Sequence, residues 1–212
     1  MKIIYLVISL FFITSCSPTF EEEPKPFYID SNGVTIKAND WVTVGTRGNI
    51  DGVYYTAVDN KTLKEMIKKN EDYSKIVTTL VNENGFSGLF FYSPTNKVNY
   101  DISSWDTSNA ILFGSIFENI KDFNQNLNNW DVSKVTNMNG SFLNAKNFNP
   151  QIDKWDVGNS NSMYASFMGV TGFNGDLSMW NVENVKECVS FALNSSNFPI
   201  SKRPSFKNCN PN

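Results

Sequence analysis

Three aspartates recur at one spacing: Asp106, Asp131 and Asp156, with Asn181 in the fourth place. On stacked units these carboxylates would lie about 5 Å apart, near the separation in retaining glycosidases. The same set could gather oxygens around calcium, which needs six or more. Every unit carries one such residue, so no pair is unique, and Asn181 can be neither acid nor nucleophile. Each follows a tryptophan, where Asp and Asn commonly accept backbone hydrogen bonds in turns. A structural role is therefore expected, with calcium at Asp106, Asp131 and Asp156 as the weaker alternative. The chain has no histidine, which removes Ser–His and Cys–His nucleophile pairs, histidine bases and His–metal sites. Gly45-Thr46-Arg47-Gly48 reads as a turn and not a phosphate cradle, because no Lys-Ser/Thr follows at Walker spacing. No catalytic residue and no cofactor is expected.

Of the three cysteines, Cys16 closes an address segment. Lys2 is followed by Ile3 to Ile13, apolar apart from Tyr5 and Ser9. That run is too short to span a bilayer and suits the core of a signal peptide. Ile13-Thr14-Ser15-Cys16 resembles the bacterial lipobox, which implies a signal peptide over residues 1–15 and acylation of Cys16. An ordinary signal peptide or a buried strand is the alternative. Residues 16–26 then form a lipidated tether, kept extended by Pro18, Pro24 and Pro26. Glu21-Glu22-Glu23 is similar to the surface-export signal of Bacteroidetes lipoproteins. That resemblance implies an outer-membrane lipoprotein exposed at the cell surface; a plain solvated linker is the other reading. With Cys16 taken, Cys188 and Cys209 are an even pair in an oxidising compartment and are expected to bridge. Two free thiols are the alternative.

The elements that must carry these residues follow from repetition. The 212 residues include 30 Asn and 17 Phe, with a net charge of −3, which gives no footprint for a nucleic acid. From Asn99 the sequence repeats every 25 residues. Trp105, Trp130, Trp155 and Trp180 form one column. Asn99, Asn124, Asn149 and Asn174 form another, and Ile102, Leu127, Ile152 and Leu177 a third. Phe123, Phe148, Phe173 and Phe198 share the register. So do Phe117, Phe142 and Phe167, with Phe191 one place early, and Phe113, Met138, Met163 and Cys188. A fixed period of this size indicates a stacked array whose units share one core.

The expected fold is an α/β solenoid, leucine-rich-repeat-like, with about 25 residues per coil and short parallel strands. The strand is placed at Ile/Leu and a helical turn in stretches such as 107–117. The Trp column forms an internal ladder, and the Asn column bonds neighbouring backbone. A degenerate unit precedes the repeat, with Val77, Leu80 and Tyr92 each 25 residues ahead of its columns, so the solenoid covers residues 74–198. Residues 27–73 form a small N-terminal β/α cap. It holds a hairpin of 27–30 and 34–36, a strand over 53–58, and a helix from Thr62 with a Thr62/Glu65 capping box. Residues 199–212 are a C-terminal cap tail.

Phe123-Asn124, Leu127, Trp130-Asp131-Val132-Ser133, Val135-Thr136-Asn137-Met138 and Phe142 resemble the unit of BspA-type leucine-rich-repeat surface proteins. The likeness covers residues 99–198, with departures at Gly158, Glu183 and Leu112-Phe113. It implies surface exposure and adhesion to host components or other cells. The C-terminal units of that family often carry a similar cysteine pair.

The varying positions between Ile/Leu and Trp are the candidate ligand face: Asn128, Asn129, Asp153, Lys154 and Met179, with Tyr164 and Met168 varying elsewhere. The expected function is a surface-anchored lipoprotein acting as a non-catalytic interaction or adhesion module. It would be a monomer, held to the membrane by lipid, with a protein or glycan partner. The alternatives are an envelope enzyme such as a glycan hydrolase and an accessory subunit of a surface complex.

Overall fold

The computed structural model describes residues 23–212. The expected signal peptide, Cys16 and the start of the expected tether lie outside these described residues. β1 (Phe27–Ile29) and β2 (Ile36–Ala38) pair antiparallel. The second strand starts at Ile36 and not at Val34, because Asn32 Oδ1 accepts the N–H groups of Val34 and Thr35. β3 (Arg47–Ile50) and β4 (Val53–Ala57) form a second hairpin. Asp51 and Gly52 turn it with φ of 49° and 87°, the pair of positive values that a two-residue hairpin turn favours. β4 pairs in parallel with β5 (Ile76–Val77) across the helix α1 (Asn60–Lys69). The helix begins two residues before the expected Thr62. Its cap is Asp59, whose Oδ1 accepts the Thr62 N–H at 2.8 Å, so Thr62 is the donor in the first turn and not the cap.

Two clusters result. Phe27, Ile36, Ala38, Val42, Ala57 and Val77 pack between the sheets. Leu63 and Ile67 of α1, with Tyr73, join the large core of the repeat.

In the repeat (99–123, 124–148, 149–173 and 174–198, here units one to four) the four indoles stack. Consecutive centroids are 6.2, 6.4 and 6.2 Å apart, with ring planes nearly parallel. Indole N–H groups of Trp130, Trp155 and Trp180 donate to the carbonyls of Ile102, Leu127 and Ile152. Trp105 donates to Tyr73. Each unit thus ties its largest side chain to the backbone of the unit before it, and no buried indole N–H goes unpaired.

Parallel pairing between units is limited to single residues, along Leu112, Asn137, Ser162 and Glu187 and between Asn126 and Gln151. A longer strand at Ile/Leu does not form. Trp105, Trp130, Trp155 and Trp180 each turn their N–H back to the Ile/Leu three residues earlier. The helical turn expected over 107–117 is also absent. Phe113, Ser115, Phe117 and Asn119 donate to Asn137, Asn139, Ser141 and Leu143 of the next unit, while Ile116, Glu118 and Ile120 donate back three residues. With alternate N–H groups taken by a neighbour, no continuous helical ladder can close. Consecutive turns arise instead, each with its third residue at positive φ, as in type II turns. Those residues are Ser115 and Asn119, Gly140 and Asn144, Ala165 and Gly169, Ser190 and Asn194, at φ of 51–75°.

The segment before unit one keeps a different register from the one expected. Phe86 packs on Phe113 at 5.8 Å and Phe90 stacks on Phe117 at 5.3 Å, which is 27 residues and not 25. Tyr92 is exposed, Val77 lies in β5, and Leu80 packs with the cap. The two extra residues fall between Phe90 and Ile102, where Ser93 Oγ donates to Lys97 O across a turn.

At the other end the tail continues the pattern. Leu177 N–H donates to Lys202 O as Leu127 N–H does to Gln151 O, and Asn208 Nδ2 donates to Glu183 O. Cys188 and Cys209 are joined by a disulfide. The displaced Phe191 is a change of column and not of backbone register, since Ser190 and Asn194 keep positive φ. It is buried where earlier units have Ser141 and Ser166, and lies 4.9 Å from Phe206 of the tail.

Candidate ligand face

The repeated carboxylates are spent locally. Asp106 Oδ1 accepts from Ser108, Asp131 Oδ1 from Ser133, Asp156 Oδ1 from the Gly158 N–H, and Asn181 Oδ1 from the Glu183 N–H. Asp106 is buried, and its Oδ2 accepts the Thr79 hydroxyl at 2.7 Å. Among the described residues no group of three or more His, Cys, Asp or Glu side chains could hold a metal ion. The calcium alternative therefore has no ligand set there, since one carboxylate per turn falls far short of six oxygens.

The Asn column is mixed. Asn149 Oδ1 accepts the Asn174 N–H, whereas Asn99 Nδ2 bonds the side chains of Asn70 and Thr95. The regular unit-to-unit amide ladder runs elsewhere. Asn109, Asn159 and Asn184 donate to the carbonyls of Thr79, Ser133 and Gly158. Sequence reading missed it because Lys134 interrupts the column.

The positions between Ile/Leu and Trp divide into two halves. Asn129 is half-buried; its carbonyl accepts from Asn32 Nδ2 and Thr35 Oγ1 of the β1–β2 hairpin, so it is not an open ligand position. Asn128 is tied to its neighbours: Nδ2 donates to Asp153 Oδ1, and Oδ1 accepts the Lys154 N–H. Asp153, Lys154 and Met179 are exposed, Met179 at 90%. A groove of about 710 Å³ opens beside them, lined by Asn124, Asn149, Gln151, Asp153, Asn174, Asp176 and Met179. The Ser178 hydroxyl and N–H hold the Asp176 carboxyl below the ordinary aspartate range, so it enters the groove as an acceptor. Tyr164 is exposed and Met168 half-buried, each in a different column of the turns.

The hairpin that covers units one and two carries its own ion pair. Lys37 Nζ lies 2.8 Å from Asp30 Oδ2. Lys37 holds the Asp30 carboxyl below its usual range, and Asp30 raises the Lys37 ammonium.

Residues 84–202, more than half of the chain, match the family model described as Mycoplasma protein of unknown function, DUF285. The chain belongs to that family. The match opens just ahead of Phe86, the first ring stacked on the repeat, and closes at Lys202, the last residue whose carbonyl receives a unit's N–H. It therefore takes in the groove and leaves out both hairpins and α1. No curated protein and no solved structure matches the chain.

Proposed function

We propose that this DUF285 chain is a BspA-type surface lipoprotein: a solenoid, anchored through Cys16, that binds a partner on the open face of its last two units. The carrying observation is a division of labour in the repeat. The aromatic columns are buried and the repeated Asp side chains are closed into turns. What varies between units, and faces outward, is the register holding Asp153, Lys154 and Met179. A regular scaffold with a variable row is how stacked repeats recognise partners.

The test is an array of extracellular-matrix proteins and oligosaccharides probed with the full chain. Saturable binding that is reduced by substitutions at Asp153, Lys154 or Met179 supports an interaction module; no binding to any spot removes it. The anchor is checked separately. Metabolic labelling with a fatty-acid analogue should mark the wild-type chain and not Cys16→Ala, which should also leave the membrane fraction. An unlabelled wild-type chain ends the lipoprotein reading.

A further inference from the structure

The face of the repeat already holds one ligand, its own hairpin. Ile36 N–H donates to Ser104 O, and the Thr35 hydroxyl and Asn32 amide donate to Asn129 O. The same register continues as Lys154 and Met179, whose carbonyls accept no hydrogen bond among the described residues. The groove takes in Met179 of that register and residues of units two to four ahead of it, and no hairpin residue lines it. A hydroxyl and an amide satisfy the covered half, and comparable chemistry would satisfy the open half.

The side chains in the groove fit that chemistry. Gln125, outside it, spends both ends of its amide on Ile102 N–H and Tyr100 O. Among the described residues the side chains of Gln151 and Asn174, inside it, make no hydrogen bond. Gln151 shares a column with Asp101, Asn126 and Asp176, which each close a turn onto the N–H two residues on. Its longer side chain leaves that turn and keeps a free donor and a free acceptor.

The ligand class follows by elimination. The groove has two carboxylates in its lining, and the Lys202 ammonium at its edge is bonded to Asn174 O and acts on Asp176, so no positive charge is left over to favour an anion. Between units the groove's backbone pairs only at isolated residues such as Asn126 with Gln151, and the Ile152 N–H finds no partner among the described residues; scattered single groups make no continuous edge for an extended peptide to extend. A neutral chain of hydroxyls both donates and accepts, matching amides and carboxylates together. The exposed Met179 thioether supplies an apolar contact for ring C–H groups.

We propose that this groove binds a neutral carbohydrate chain through Asn149, Gln151, Asp153, Asn174, Asp176 and Met179. The proposal rests on the surface-binding reading above and adds to it the ligand class and the place.

Native gels cast with mannan, dextran or xylan test it with the full chain; heparin and polylysine serve as comparators. The wild-type chain should be retarded by at least one neutral polysaccharide and not by heparin. Gln151→Leu/Asn174→Leu should weaken retardation by at least about tenfold, the scale of two lost polar contacts. Met179→Ala should weaken it too, and at an exposed site it leaves folding intact. Asn109→Ala, which acts outside the groove, should keep it. Retardation by no neutral polysaccharide, by heparin or polylysine alone, or undiminished in both groove variants, overturns the proposal. If the array binds proteins while no neutral polysaccharide retards the chain, this inference falls and the broader interaction reading stands.

Discussion

At the scale of single residues, the same side-chain type does different work according to what its neighbours already supply. Trp130 is enclosed by the indoles of Trp105 and Trp155 and by Phe113 and Phe117, and its N–H is bonded to Ile102. Trp130→Ala should cost about 3–5 kcal/mol, because flanking units cannot collapse into the space without breaking their own stacking. Trp130→Phe keeps most of the packing and removes one of the two hydrogen bonds at the Ile102 carbonyl, which keeps the Trp105 N–H, and should cost about 0.5–1.5 kcal/mol. Chemical denaturation measures both. Unchanged stability with lost partner binding would instead make the Trp column a ligand platform. The identity of the packed residues was legible in the sequence, since a strict period with aromatic company has few other causes. Which polar residues stay free was not. Asn128 and Gln151 look alike in sequence, yet Asn128 bonds at both ends of its amide and Gln151 at neither. That depends on side-chain reach relative to a turn, which residue type alone does not disclose.

At the scale of elements, the repeat shows why helix and strand were misplaced. Phe113 and Phe117 stand four apart and Met138 and Phe142 likewise, the spacing of a helical face. The period came from consecutive turns, which bring every fourth side chain to one side. The signal for turns was present in the columns Ser115, Gly140, Ala165, Ser190 and Asn119, Asn144, Gly169, Asn194, rich in residues that tolerate positive φ. Gly169 has φ of 75°, and a Cβ there would sit 2.6 Å from Asn144 Oδ1. Gly169→Ala should therefore destabilise by about 1–2 kcal/mol. Ala165→Gly, relieving a left-handed alanine in the same unit, should raise the melting temperature. If both behave as ordinary helix-interior substitutions, with Ala165→Gly the harmful one, the turn assignment is wrong. The cap helix gives a pH-dependent counterpart. Thr62 holds the Asp59 carboxyl below its ordinary range, so the cap is fully effective above that range and is lost as pH falls through the depressed value. Asp59→Ala should cost about 0.5–2 kcal/mol near neutral pH. The cost should shrink in acid, a difference that thermal melts at two pH values resolve.

At the scale of the whole molecule, a stacked array must end somewhere, and the two ends solve the problem differently. The N-terminal end is met by a separately built βαβ unit, whose Tyr73 carbonyl takes the place that an Ile/Leu carbonyl has for later tryptophans. The degenerate unit ahead of the repeat is expected at 25 residues through Val77, Leu80 and Tyr92, whereas Phe86 and Phe90 reach the stack at 27, through two additional residues. The C-terminal end is met by imitation: the tail supplies Lys202 O and the Asn208 amide at the places a fifth unit would, with Phe206 against Phe191. The bond between Cys188 and Cys209, 21 residues apart, adds to these contacts a covalent tie that keeps the short tail from lifting away as a segment of low local stability. In the chain-entropy model a closed loop of this length stabilises by about 3.4 kcal/mol, mostly by restricting the unfolded chain. Cys209→Ser should remove that restraint and expose the last stacked rings, Phe191 and Phe198. Because each unit contacts only its neighbours, the loss should travel inward from the C-terminal end. Hydrogen exchange on Cys209→Ser should show protection falling first in residues 174–198 and last in 99–148, around Trp105 and Trp130. Uniform loss across all four units would mean that the array unfolds as one cooperative block and that the tail bears on all of it at once.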